Sequence, residues 1–158
     1  MNEFYKSYTV AQATQKLESY CAYQERCHEE VLQKLKSLNM IPQAIDAIIA
    51  HLLEHNFLNE ERYARAFARG KFRIKKWGRR RIVQELKLRG ISRYNIEAAL
   101  KEINDEEYIA TFNELAGHLW EISRETQLLK KKKKILDALL RKGYESNLIF
   151  DKVQELSK

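Results

Sequence analysis

The sequence predicts an all-α protein built from three tandem three-helix repeats that form an elongated, curved array. Its 158 residues include one proline and five glycines, too few for the many tight turns of a sandwich or barrel. Three segments also align without gaps, at offsets of 51 and 53 residues, and each has the pattern helix, short turn, helix. Internal similarity at a period of about fifty residues is typical of stacked repeat architectures.

The aligned segments are residues 31–52, 82–103 and 135–156, which match at their apolar positions. The turn of each segment carries a residue type that tolerates the left-handed conformation ending a helix. The next helix then opens on a residue suited to its first turn. The turn residues are Asn39, Gly90 and Gly143, and the opening residues are Pro42, Ser92 and Ser146.

A further helix is predicted ahead of each pair. It runs from about Val10 to Tyr23 in the first repeat, from Glu60 to about Lys76 in the second, and from about Glu106 to Ser123 in the third. Asn59 is placed to cap the second of these helices. The predicted division is a flexible tail over residues 1–8, then repeats over 9–57, 58–104 and 105–158.

Positive charge is concentrated in the middle repeat. The formal net charge is +7, but residues 59–101 carry fourteen Lys or Arg against four Asp or Glu, so this segment holds +10 and the remainder −3. A surface selected for solubility alone mixes both signs. The concentrated excess favours a polyanion or an acidic protein surface as the partner, and the alternative is a solvated, arginine-rich face.

The helix that follows Asn59 carries two parallel stripes. The spacing of its apolar residues predicts a packing face, and a basic stripe runs one residue out of phase with it. The apolar stripe is Tyr63, Phe67, Gly70, Ile74 and Trp77, and the basic stripe is Arg62, Arg65, Arg69, Arg73 and Lys76.

After a turn at Gly78, the next helix opens with three arginines, Arg79 to Arg81. Positive charge at a helix N-terminus opposes the helix dipole and costs roughly 0.3–1 kcal/mol per charge. A bound anion would offset that cost, so we expect these arginines to be contact residues. The alternatives are that they are solvated or paired with Glu85 one turn later.

Two further groups allow more than one interpretation. Tyr63, Phe67, Trp77 and Tyr94 have the spacing of core residues, although Trp77, beside the turn, is the exception that could stack on a base. The run Lys130–Lys134 covers every direction around a helix, so some of its side chains must lie along apolar surface. This run either contacts phosphates or forms a solvated face.

We expect no catalytic constellation, cofactor or metal site. The glycines are scattered, and His51 and His55 lack the order of a metalloprotease motif. Cys21 and Cys27 fit neither a disulfide framework nor zinc spacing. No apolar run reaches ~18–20 residues and residues 1–20 contain no signal-peptide core, so a soluble, reduced, cytoplasmic protein is expected.

Two motifs of the middle repeat resemble the RecX regulatory family. The first is Leu58-Asn59-Glu60-Glu61-Arg62-Tyr63-Ala64, and the second is Gly78-x-x-x-Ile82-x-x-Glu85-Leu86-x-x-Arg89-Gly90-Ile91. The resemblance covers roughly residues 13–156 and is most specific over 58–100. The first repeat departs from it over residues 23–27, where many family members carry Arg-Arg or Arg-Glu before a serine.

The resemblance implies a non-enzymatic regulator of the RecA recombinase in DNA repair, recombination and the SOS response. RecX proteins bind the RecA–single-stranded DNA filament and inhibit its ATP hydrolysis, strand exchange and extension. The residues alone indicate a basic helical repeat protein with a polyanionic or acidic partner, and the alternative function is that of an autonomous, sequence-independent nucleic-acid-binding repeat protein. On the RecX interpretation a monomer would contact RecA and single-stranded DNA through Arg62, Arg65, Arg69, Arg73, Lys76, Arg79, Arg80 and Arg81, with Lys130, Lys131, Lys132, Lys133 and Lys134 as a secondary patch.

Overall fold

A computed structural model describes residues 7–158, and this part of the chain folds into nine α-helices without a strand. The predicted all-α class is therefore confirmed. The helices are α1 (Val10–Tyr23), α2 (His28–Ser37), α3 (Pro42–Glu54), α4 (Glu60–Lys75), α5 (Arg79–Leu88), α6 (Arg93–Leu100), α7 (Asp105–Ile122), α8 (Leu128–Lys142) and α9 (Ser146–Leu156).

The helices group into three repeats, α1–α3, α4–α6 and α7–α9, within each of which all three helices pack on one another. The predicted repeat architecture is therefore confirmed. The turns between the second and third helices also form as predicted, because Asn39, Gly90 and Gly143 have φ values of 59°, 73° and 96°. Glycine and asparagine tolerate this left-handed region better than other residues.

Side-chain caps fix where several helices begin. The Asn59 side chain accepts a hydrogen bond from the Arg62 N–H at the start of α4. Ser92 does the same for α6, accepting from the Asn95 N–H. At α3 the first residue is Pro42, whose missing N–H removes one of the donors that a helix start leaves unpaired.

Buried side chains form two clusters. The first lies among α1–α3 and also takes in Leu58, which the sequence division places in the second repeat. The second extends continuously from α4 to α9 and includes Cys27 at the start of α2. Repeats 2 and 3 therefore share one core, while repeat 1 has its own.

The turn between α4 and α5 lies directly against the turn between α8 and α9, and we call this contact the 2–3 junction. The Gly78 N–H donates to the Lys142 carbonyl at 2.7 Å, and the Arg80 N–H donates to the Gly143 carbonyl at 2.9 Å. A Cβ on Gly78 would lie 2.4 Å from the carbonyl carbon of Gly143. Only a glycine allows the two backbones to approach this closely.

The buried face of α4 differs from the predicted stripe. Tyr63 and Phe72 are buried, whereas Ile74 is 78% exposed, so the prediction that Ile74 packs is wrong. The reason is that Ala64 and Ala68 are fully buried and belong to the packed face of α4. Small side chains let a neighbouring helix come close, and they carry little weight in a periodicity of large apolar residues.

The accessible surface of 10445 Å² exceeds the about 8,300 Å² expected for a compact monomer of 18.8 kDa, which fits the predicted elongation.

No helix among residues 7–158 is long and apolar enough to cross a membrane. Tyr8 packs against the first core, so the predicted tail does not extend to it, and residues 1–6 lie outside the described residues.

Candidate functional site

The basic stripe of α4 begins with an arginine that holds two repeats together. Arg62 Nε lies 2.6 Å from Glu25 Oε1, which belongs to the segment between α1 and α2. The same guanidinium donates to the backbone carbonyls of Asn56 and Phe57, at 3.0 and 3.2 Å. Most of the hydrogen-bonding capacity of Arg62 is therefore used within the protein.

The next two members of the stripe share one carboxylate. Arg65 and Arg69 approach Glu102 Oε1 at 3.1 and 3.3 Å. Hydrogen bonding from Arg65, then from Arg69, holds the pKa of Glu102 below its usual range. Glu102 is therefore ionised at neutral pH and offsets part of the positive charge of this pair.

The C-terminal end of the stripe is different. Arg73, Lys75 and Lys76 are exposed, and no carboxylate of the described residues pairs with any of them. Lys76 ends α4 in the left-handed conformation, with φ of 60°. The sequence-predicted Arg73 and Lys76 thus lie where a partner can reach them, and Lys75 joins them although the sequence pattern did not single it out.

The three arginines that open α5 all reach into repeat 3. Arg79 pairs with Asp105, and its guanidinium lies 4.0 Å from the centre of the Tyr108 ring. Arg80 donates to Ser146 Oγ at 3.2 Å. Arg81 donates to the carbonyl of Arg141 at 3.1 Å. The alternative pairing with Glu85 is wrong, because Glu85 accepts from Arg89 at 2.7 Å.

The first backbone N–H of α5 also donates to an acceptor within the protein. The Arg79 N–H donates to the hydroxyl of Tyr108 at 3.0 Å, and that hydroxyl donates in turn to the Glu145 carboxylate. Burial raises the pKa of Tyr108 well above its ordinary value, so the hydroxyl keeps its proton. Together with Asp105, these groups offset the cost of the positive charges at the helix start.

The four aromatic residues separate by burial. Tyr63 is buried as predicted, and Phe67 and Trp77 are half-buried against the second core. Tyr94 is 74% exposed, so its assignment to the core is wrong. Tyr94 lies near the start of the short helix α6, whose buried residues are Ile96, Ala98 and Ala99.

Cations cover the half-buried rings. Lys71 Nζ lies 5.0 Å from the centre of the Trp77 ring, and the Arg81 guanidinium lies 4.1 Å from it. Arg89 lies 4.8 Å from the centre of the Phe67 ring. A base would have to displace these cations before it could stack on Trp77.

The lysine run of α8 is largely engaged within repeat 3. Lys131 lies 4.2 Å over the Trp120 ring, which confirms that part of the run follows apolar surface. Lys134 pairs with Glu125, and Lys133 with Asp137. Lys132 reaches Gln154 at 3.4 Å, so Lys130 is the exposed member without a partner among the described residues.

The histidine and cysteine side chains do not converge on a metal. The rings of His51 and His55 lie 4.4 Å apart, but no group of three potential ligands occurs within residues 7–158. Cys21 and Cys27 are free, buried thiols. Burial raises the pKa of both, so they are protonated at neutral pH.

Comparison with known proteins identifies the family. Residues 59–100 match the family profile described as RecX, second three-helix domain. A regulatory protein RecX from Lactobacillus johnsonii is 31% identical over 143 residues, which are 90% of this chain and 53% of that protein. The crystal structure of RecX from Lactobacillus salivarius superposes with a TM-score of 0.79 at 28% identity and covers 93% of this chain and 96% of that one.

The chain belongs to the RecX family. A RecX protein from Lactobacillus gasseri is 35% identical over 109 residues, which cover 69% of this chain and 40% of that protein. The chain spans about half the length of the curated relatives it matches, and those relatives are named regulatory proteins. The resemblance carried by the two motifs of the middle repeat is thereby confirmed.

The second motif also gains a physical meaning. Its Gly78 is the residue that allows the close backbone contact of the 2–3 junction, and its Ile82 and Leu86 are fully buried in the shared core. The sequence analysis did not predict that Arg141 to Gly143 form the other side of the 2–3 junction. The sequence signal for that side is the alignment of Gly143 with Gly90, which marks a second tight turn of the same kind.

Proposed function

We propose that the chain regulates a RecA recombinase by binding the RecA–single-stranded DNA filament and inhibiting its ATP hydrolysis, strand exchange and extension. Membership of the RecX family is the observation that carries this proposal. The role belongs to DNA repair and recombination in the cytoplasm. This role requires no catalytic group of the chain, because the chain only inhibits ATP hydrolysis that the recombinase carries out.

The distribution of uncompensated charge supports the proposal. Arg62, Arg65 and Arg69 are paired with carboxylates of the chain, whereas Arg73 and Lys76 are exposed and have no carboxylate partner within residues 7–158. A filament offers both phosphates and acidic side chains, and either attracts exposed cations. We therefore assign filament contact first to the C-terminal end of the stripe and to Arg80 and Arg81, which no carboxylate of the described residues neutralises.

The test is a titration of the protein, at substoichiometric amounts, into the recombinase of the same organism on single-stranded DNA. The rate of ATP hydrolysis should fall. The double variant Arg73→Glu/Lys76→Glu should need about tenfold more protein for the same inhibition, because two of its contacts now repel the filament. The matched control Lys87→Glu/Lys101→Glu, with the same change of charge on exposed residues of the same repeat, should stay close to the unmodified protein.

An unchanged rate of ATP hydrolysis at every stoichiometry would sink the proposal. Circular dichroism of both variants checks that their folds are intact. If the control loses as much inhibition as the test variant, net charge alone governs the effect and the assignment of Arg73 and Lys76 is wrong.

A second candidate is an autonomous, sequence-independent nucleic-acid-binding protein, which the +10 charge of residues 59–101 favours. Such a protein binds naked single strands with an affinity that falls steeply as salt rises, because binding releases counterions. Negligible binding to naked single strands at physiological salt, together with persistent inhibition of the filament, would eliminate this candidate.

A further inference from the structure

An open groove of about 340 Å³ lies at the 2–3 junction, between α5 and the turn that joins α8 to α9. Three arginines from two repeats line it: Arg80 and Arg81 come from α5, and Arg141 comes from the end of α8. We call this feature the arginine groove. It exists because the backbone contact at Gly78 and Gly143 holds the start of α5 against the turn between α8 and α9.

None of the three arginines of the groove is neutralised by a carboxylate of the described residues. Arg80 donates to a serine hydroxyl, and Arg81 donates to a backbone carbonyl. Arg141 is exposed, and its side chain has no partner within residues 7–158. By contrast, Arg62, Arg65, Arg69, Arg79, Arg89 and Arg93 each pair with a carboxylate.

The acidic residue that lines the groove does not offset this charge. Glu85 accepts hydrogen bonds from Arg89, with Nη1 2.7 Å from Oε2, so its charge is already paired outside the groove. Two backbone donors of the α5 N-terminus are also occupied, since the Arg79 N–H donates to the Tyr108 hydroxyl and the Arg80 N–H donates to the Gly143 carbonyl. An anion in the groove would therefore be held by guanidinium groups.

A phosphodiester has the chemistry that these groups recognise. The planar guanidinium presents N–H donors in a fork that matches two phosphate oxygens. Tyr144, the aromatic residue of the lining, is fully buried, so no ring is offered to a base and binding would not depend on sequence.

We propose that the arginine groove binds a backbone phosphate of single-stranded DNA, with Arg80, Arg81 and Arg141 as its contacts. This inference rests on the proposed function, because it names the part of the chain that meets the DNA of the filament. Arg81 has a second role, since its guanidinium lies on the Trp77 ring and binds the Arg141 carbonyl across the junction.

The test uses the double variant Arg80→Gln/Arg141→Gln, which leaves Arg81 and the backbone contact of the 2–3 junction in place and removes the hydrogen bond from Arg80 to Ser146. Its matched control is Arg93→Gln/Arg124→Gln, which removes one exposed arginine from each of the same two repeats. Anisotropy of a labelled oligothymidine, measured over a range of KCl concentrations, gives the affinity and its salt dependence. The midpoint of thermal unfolding checks that both variants fold.

We expect the test variant to bind about tenfold more weakly at 0.1 M KCl. The slope of log affinity against log salt should fall by at most about 0.7, since the groove holds one phosphate and each phosphate contact on a single strand contributes about 0.7. The control should lose less than half of either quantity. Equal losses in the two variants would overturn the inference, as would an unmodified protein that does not bind the oligothymidine.

The ATP-hydrolysis titration separates this inference from the proposed function. If the test variant binds the oligothymidine normally but no longer inhibits the filament, the groove meets acidic side chains of the recombinase and the phosphate assignment is wrong. If the test variant inhibits and binds like the unmodified protein, the groove assignment fails while the regulatory function stands. If the unmodified protein does not inhibit, the proposed function fails, and the oligothymidine measurement still decides the groove.

Discussion

Repeats 2 and 3 meet backbone to backbone, whereas repeats 1 and 2 meet through side chains. At the 2–3 junction, Gly78 and Gly143 bring two turns into direct hydrogen-bonded contact. The 1–2 junction is the contact of the α1–α2 segment and α2 with α4 and α5. Its polar links include the pair Arg62–Glu25 and the hydrogen bonds from Arg62 to the Asn56 and Phe57 carbonyls, and grooves of about 560 and 500 Å³ open beside it.

The difference between the two junctions arises from the residue types at equivalent positions of the repeats. Cys27 precedes α2 as Gly78 precedes α5, and Gly90 occupies the position in repeat 2 that Gly143 has in repeat 3. A cysteine at the first position carries a side chain where the 2–3 junction needs none. Gly90 accordingly has open space around it, and apart from its neighbours along the chain no residue comes within 4 Å of where a Cβ would stand.

Each junction also places a tyrosine from the following repeat near the second helix of the preceding one. Tyr108 accepts from the Arg79 N–H and donates to Glu145. Tyr63 lies near the Cys27 thiol and Glu30, and burial raises its pKa well above the ordinary value. A thiol is a weak hydrogen-bonding group, so the polar contact of Tyr63 is weaker than that of Tyr108.

The largest expected effect comes from Gly78→Ala. The new Cβ would lie 2.4 Å from the Gly143 carbonyl group, and the turns would have to separate. We expect the free energy of unfolding, measured by urea denaturation, to fall by about 3 kcal/mol. The matched control is Gly70→Ala, which has open space and lies inside α4, and it should raise that free energy by about 0.5–1 kcal/mol. A loss of less than about 1 kcal/mol for Gly78→Ala would show that the junction tolerates separation.

A smaller effect is expected when the two tyrosines are compared. Tyr108→Phe leaves the buried Arg79 N–H without its acceptor and removes a donor to the Glu145 carboxylate, so it should cost about 2 kcal/mol of unfolding free energy. Tyr63→Phe should cost about 1 kcal/mol or less. Both values come from the same denaturation experiment, and a reversed order would contradict the ranking of the two junctions.

The smallest effect is expected for the ion pair of the 1–2 junction. A double-mutant cycle with Arg62→Ala and Glu25→Ala should give a coupling energy below about 1 kcal/mol that shrinks in 1 M NaCl. The reason is exposure, since 37% of the Arg62 side chain and 29% of the Glu25 side chain remain accessible to solvent. A coupling above about 2 kcal/mol that does not respond to salt would mean that this junction is as firmly held as the other.

Helices, turns and repeats could be predicted because their signals are local. The apolar spacing, the capping Asn59 and the left-handed Gly90 and Gly143 all act within a few residues of where they stand. Local sequence signals could not show which arginines pair with a carboxylate and which do not. The partners of Arg62 and Arg65 are 37 residues away along the chain, and that of Arg79 is 26 residues away.

The packed face of α4 could not be predicted from the sequence for a related reason. A stripe of large apolar residues suggested Phe67 and Ile74, but Ala64 and Ala68 decide how closely a neighbouring helix can approach. An alanine contributes little to a hydrophobic periodicity. Its effect on packing becomes clear only when the neighbouring helix is known.

The two buried clusters have a consequence for how the chain loses its structure. Three repeats in sequence make only two cooperative units, because the core of α4–α9 has no internal boundary. In repeat arrays, neighbours that share a core unfold together, whereas neighbours joined by a weak contact separate first. Denaturant should therefore melt α1–α3 and α4–α9 as distinct blocks.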